Sequence, residues 1–174
     1  MKKLNNAGFN LVEVLVVVLV MGLLAAIALP QYRKSLVRTE LAEAVMLVKV
    51  LADSTKMYQY VHDDNLPCRP GQGNTAEFNK LDVSVDFDKL ENQNDNFDIY
   101  YSNCEAVYAK YKHGGVQIFT PIGNQTHRNS RFINRIGCVE TDAEAVAKKL
   151  CALAGKIETT IERSGASALY VLSH

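Results

Sequence analysis

Between Phe9 and Leu29 the chain is almost unbroken hydrocarbon, and a single ionisable side chain, Glu13, stands inside it. A carboxyl group at the centre of a bilayer costs about 2.5–3.5 kcal/mol and somewhat less towards the interface, so an acid placed there usually marks a function. The chemistry open to it is pairing. A carboxylate in a low dielectric is held only when a positive group with good hydrogen-bond geometry accompanies it. The bland alternative is that Glu13 snorkels to the headgroups and does nothing further.

Four cysteines, Cys68, Cys104, Cys138 and Cys151, are the second set of reactive side chains. No two are spaced C-x-x-C, which argues against zinc, and in an oxidising compartment disulfides are expected. Three pairings are then possible, and the sequence alone does not choose among them. His62, His113, His127 and His174 show no triad spacing with Ser, Cys or Asp, so no catalytic residues, no enzyme activity and no cofactor are expected. Asn94, Asn96 and Asp98 offer oxygens at alternate positions but lack the loop glycine and closing Glu of an EF-hand; they read as solvated loop, and no metal site is assigned. Arg128, Arg131 and Arg135 are interrupted by Asn, Ser and Phe, and the 19 basic side chains are balanced by 19 acidic ones, so no specific nucleic-acid partner is expected.

The elements that must position Glu13 follow from the same stretch. As a helix, Phe9–Leu29 reaches roughly 30 Å, the thickness of a bilayer's hydrocarbon core. Inside lipid the backbone must satisfy its own hydrogen bonds, so a lone segment is a helix despite its many Val residues. Pro30 is expected to end or kink this first half. Residues 1–8 carry Lys2 and Lys3 and no acid, which should keep them cytoplasmic and send the chain beyond Pro30 outward. A secretory signal peptide shares the positive start, with Ala25, Ala26 and Ala28 as a conceivable cleavage site, but its apolar core is normally only about 7–15 residues.

Beyond Pro30 the helical pattern continues. Val37, Leu41, Ala44, Val48, Leu51, Thr55 and Tyr58 recur at steps of three and four, a stripe expected to pack on a globular head. Met46, Val50 and Met57 form a second strip, a candidate contact with neighbouring molecules. The helix should fade near His62, giving a single element of about 80 Å from Phe9. Leu81–Asp88 alternates as a short strand, and the clearest strands are Phe97–Tyr101, Ala106–Tyr111 and Val116–Thr120, with a tight turn at His113-Gly114-Gly115. Glu140–Lys156 reads as a helix with Gly155 as its stop, and Ala168–Leu172 as a closing edge strand.

The residues Gly8-Phe9-Asn10-Leu11-Val12-Glu13, followed by an apolar run with Gly22 and Pro30 and then Gln31-Tyr32, closely resemble the class III signal sequence of type IV prepilins and the related type II secretion pseudopilins. One departure is Asn10, where the family usually has Thr. The resemblance implies an α+β fold, a long kinked N-terminal helix packed on an antiparallel sheet. It divides the chain into a leader (1–8), the helix (9–62, with 9–29 transmembrane) and a head (63–174). It further implies cleavage after Gly8 by a prepilin peptidase, N-methylation of Phe9, polymerisation through the helix with Glu13 meeting the Phe9 amine of a neighbour, and a helix shaped by Gly22 and Pro30. The partners implied are further copies of the chain, the prepilin peptidase, the inner-membrane assembly machinery and the membrane itself. The subunit would wait in the inner membrane, head periplasmic, and end in a surface fibre. Of the three pairings, Cys138 with Cys151 and Cys68 with Cys104 are favoured, since each joins consecutive cysteines and staples irregular loop to regular structure, and Cys138 with Cys151 also resembles the C-terminal disulfide loop of many major pilins. A pseudopilin of a secretion or competence system shares the helix and Glu13, and a C-terminal disulfide leans towards the pilin.

Overall fold

The computed structural model describes residues 10–62, 67, 80–81, 96–102, 104–122, 135–164 and 167–173. Its first element, α1 (Leu11–Val61), runs unbroken through Pro30, so the proline does not end the helix. The chain divides into two units, the first reaching Val37 and the second starting at Arg38.

In the second unit, the rest of α1 covers a six-stranded antiparallel sheet built from β1 (Phe97–Ser102), β2 (Ala106–Tyr111), β3 (Val116–Pro121), β4 (Ile136–Glu140), β5 (Ile157–Ser164) and β6 (Ser167–Leu172). The order is β1-β2-β3-β4-β6-β5. Leu41, Ala44, Val48, Leu51 and Thr55 are buried as the stripe predicts, joined by Ala52, because steps of three and four keep one helix face on the sheet. Met46, Val50 and Met57 are exposed.

Two tyrosines on the inner sheet face tie down the helix. Tyr111 donates its O–H to Glu40 Oε2 at 2.6 Å, and the Tyr101 hydroxyl lies 2.7 Å from Thr55 Oγ1. Thr55 is fully buried and its hydroxyl also reaches the Leu51 carbonyl at 2.7 Å, which satisfies a polar group that would otherwise be costly there. Burial pushes the Tyr101 hydroxyl up to about 12, although Thr55, which can turn to donate to a tyrosinate, works against the rise. Burial also raises Tyr111, helped by the hydrogen bond to Glu40 and by that side chain's charge. Once unfolded, both side chains would ionise near 10, so above that pH the unfolded state holds fewer protons and stability falls as pH rises. Urea midpoints should therefore stay level up to about pH 10 and decline towards about pH 12, with Tyr101→Phe flattening the decline.

The opposite sheet face carries an aromatic row. Tyr100, Tyr108, Phe119 and Gly137 are successive register partners across β1 to β4. The rings stack, Tyr100 on Tyr108 at 5.6 Å and Tyr108 on Phe119 at 5.0 Å. Phe119 then lies over Gly137, where an added Cβ would run into its ring. Ala106, Phe119 and Val171 form a buried cluster on this face with Tyr108, Val139, Ile161 and Leu169 packed against it.

Three expectations change. The segment read as a closing edge strand becomes β6 and lies inside the sheet, because β5 pairs along its outer side. Two further strands add to the expected ones: β4, which is short and carries Gly137, and β5, which is Thr- and charge-rich and bulged, so neither shows a clear strand pattern in the sequence. The helix expected over Glu140–Lys156 is two short ones, α2 (Ala143–Lys148) and α3 (Leu150–Ala154). The break is Lys149, which adopts left-handed backbone angles of φ 51 and ψ 51 while its N–H bonds back to the Ala145 and Val146 carbonyls. A side chain with a Cβ is strained there and glycine is not, so Lys149→Gly should raise stability by about 1 kcal/mol, read as a higher urea midpoint at unchanged slope. Of the expected strand at 81–88, only Leu81 falls among the described residues, and it is buried.

Candidate assembly site

Glu13 is positioned by the first turn of its own helix. Asn10 precedes α1; its carbonyl accepts from the Glu13 N–H at 3.0 Å and its side-chain oxygen from the Val12 N–H at 3.4 Å. In return Glu13 Oε2 accepts from the Asn10 N–H at 3.1 Å. This reciprocal arrangement satisfies N–H groups that a helix start otherwise leaves without partners. The spacing Asn-x-x-Glu announces it in the sequence, beside the larger signal of an acid in a hydrocarbon run. It also gives the departure at Asn10 a physical sense, since Asn caps a helix at least as well as Thr.

The carboxylate opens a long apolar surface. Every described residue from Asn10 to Leu36 is exposed, including Leu11 at 78%, Leu19 at 60% and Ile27 at 66%. The helix is long and apolar enough to cross a membrane. A surface of this kind needs lipid or other apolar helices around it, because water does not tolerate a patch so large. Gly22 lies within α1, and apart from its own stretch of helix no atom lies within 4 Å of where its Cβ would be, which leaves its side of the helix open to a close neighbour. Gly8 and Phe9 fall outside the described residues.

At the far end of the chain, Cys138 on β4 and Cys151 on α3 form a disulfide with Cα atoms 5.8 Å apart, and both residues are fully buried. Cys104 is also disulfide-bonded, while Cys68 lies outside the described residues. The described residues include no group of three or more His, Cys, Asp or Glu arranged to hold a metal ion. Asn94, Arg128, Arg131, His127 and His174 are outside them too.

A long apolar N-terminal helix whose second half lies on a six-stranded antiparallel sheet is a pilin-like α+β fold. Comparison with known proteins agrees. The chain is 48% identical over 44 residues to the fimbrial protein of Pseudomonas aeruginosa, a match covering 25% of this chain and 29% of that one. It is 33% identical over 57 residues to the fimbrial protein of Neisseria meningitidis, covering 33% of this chain and 34% of the relative. It is 34% identical over 55 residues to the type IV major pilin protein PilE of Neisseria gonorrhoeae, covering 32% and 33%. The chain thus spans about a third of the length of the curated relatives it matches. No family model matches it, and no solved structure matches it.

Proposed function

We propose that this protein is a structural subunit of a type IV pilus. The observation that carries the reading is Glu13: a carboxylate at the start of an apolar helix whose surface is exposed among the described residues. In this reading a prepilin peptidase cuts after Gly8 and the new N-terminal Phe9 is methylated. The amine then sits one helical turn from Glu13, and in the filament Glu13 of one copy neutralises Phe9 of the next. Apolar packing alone would leave the depth of an incoming helix open, because Val and Leu gain little on leaving lipid for other Val and Leu side chains. A charge pair sets the register, since a misplaced helix leaves two charges unmatched in a low dielectric.

The subunit waits in the inner membrane with its head on the periplasmic side, meets the assembly machinery there, and is delivered into a surface fibre. Mass spectrometry of filaments sheared from the cell surface tests this directly. The expected product is an abundant chain that begins at N-methylated Phe9. Material that begins at Met1, or downstream of Ala28, would overturn the reading.

A further inference from the structure

The disulfide end of the sheet contains a buried acid for which assembly has no use. Glu140 closes β4 and is 0% exposed. It lies two residues beyond Cys138 and so on the same face of the strand. Its Oε1 accepts from the Cys151 N–H at 2.9 Å, and its Oε2 from the Tyr170 O–H at 3.1 Å. Tyr170 in turn is the register partner of Cys138. The carboxylate therefore joins β4, β6 and α3 around one disulfide.

The helix it holds needs the help. α3 has five residues, starts at the strained Lys149, and receives no side-chain cap from that residue. The Cys151 N–H belongs to its first turn, where N–H groups lack intrahelical partners. Glu140 supplies the missing acceptor from another element. Burying a carboxyl group is costly, and here the cost is offset by the two hydrogen bonds it accepts, whose donors an apolar side chain would leave without acceptors.

We infer that Glu140 is a positioning residue for the Cys138–Cys151 disulfide, holding Cys151 against β4 so that the bond recloses when an external thiol opens it. In that exchange a local opening of this end of the sheet exposes the otherwise buried bond, and a thiolate of the glutathione class attacks one sulfur. A mixed disulfide forms as the Cys138–Cys151 bond breaks, and the electron pair leaves with the other cysteine as a thiolate. With Cys151 held in place, that thiolate attacks the mixed disulfide and expels the external thiolate before a second one can complete the reduction. The advantage is an effective concentration, created by orientation.

The test uses the full chain in detergent, equilibrated against reduced and oxidised glutathione, alkylated, and read by mass spectrometry of the Cys138 and Cys151 peptides. Glu140→Ala should lower the effective concentration of the pair by about tenfold or more. Glu140→Gln keeps an oxygen for the Cys151 N–H and an amide N–H that Tyr170 can accept, and should stay within about threefold of the parent. Tyr111→Phe removes a hydrogen bond elsewhere in the head and should leave the value unchanged. Three results would each overturn the inference: no change in Glu140→Ala, an equal fall in Tyr111→Phe, or a fall in Glu140→Gln as deep as in Glu140→Ala. Should Glu140→Ala fail to fold, Tyr170→Phe decides in its place. Loss of the donor to Oε2 should lower the value by about threefold, and no change there refutes the positioning role.

Discussion

Glu13→Ala is expected to insert in the membrane at normal levels and to yield almost no surface fibres. In the proposed filament the substitution strands the Phe9 amine of a neighbour, and breaking such a buried pair costs about 3–5 kcal/mol, equivalent to at least a hundredfold in each subunit's addition equilibrium. Because a filament requires that step many times over, the fibre count by electron microscopy should collapse while immunoblots of the membrane fraction stay level. The structure supplies a sharper variant. Glu13 also accepts from the Asn10 N–H, a role that Gln can take over, since Glu and Gln both complete a capping box. Glu13→Gln should thus preserve the helix start, and it should still lose the fibres, because the amide cannot neutralise an amine. Normal fibres from Glu13→Gln would show that Glu13 is a helix cap and nothing more.

The largest effect expected on the head's stability comes from Gly137→Ala. Phe119 lies directly opposite in the register and its ring occupies the space above the glycine. The ring is 4% exposed and stacked on Tyr108, so it has little room to withdraw. Forcing a methyl group into such a site should cost about 2 kcal/mol, a fall of about 4–8 °C in melting temperature for a domain of this size. Phe119→Leu in the same chain should return much of the loss, because the residues act on one another directly and their effects will not add. A melting temperature unchanged in Gly137→Ala would mean that the aromatic row is looser than its geometry indicates.

How much of this was legible in advance depends on how far apart the interacting residues lie. The helix stripe from Leu41 to Thr55 and the strands β1 to β3 repeat on a local period, and local periods survive in a linear text. The candidate site was also legible in part: an acid in a hydrocarbon run stands out by composition, and the cap made by Asn10 and Glu13 needs only a spacing of three. The two-helix region was half readable. Asp142 caps α2 by accepting from the Ala145 N–H at 2.7 Å, a local pattern, but nothing in the apolar pattern shows that Lys149 must turn left-handed.

The residue sequence by itself determined the membrane-length helix, its amphipathic continuation, the acid at its start and the supply of cysteines. Tertiary structure alone decided that β6 lies inside the sheet with β5 beyond it, that Tyr111 reaches back to Glu40 across a separation of 71 residues, and that Glu140 is buried beneath Cys151. Strand order and buried pairing are choices among many distant partners of similar local preference. They are settled by which arrangement buries the most apolar surface while leaving no polar group without a partner, a property of the whole fold and of no single segment.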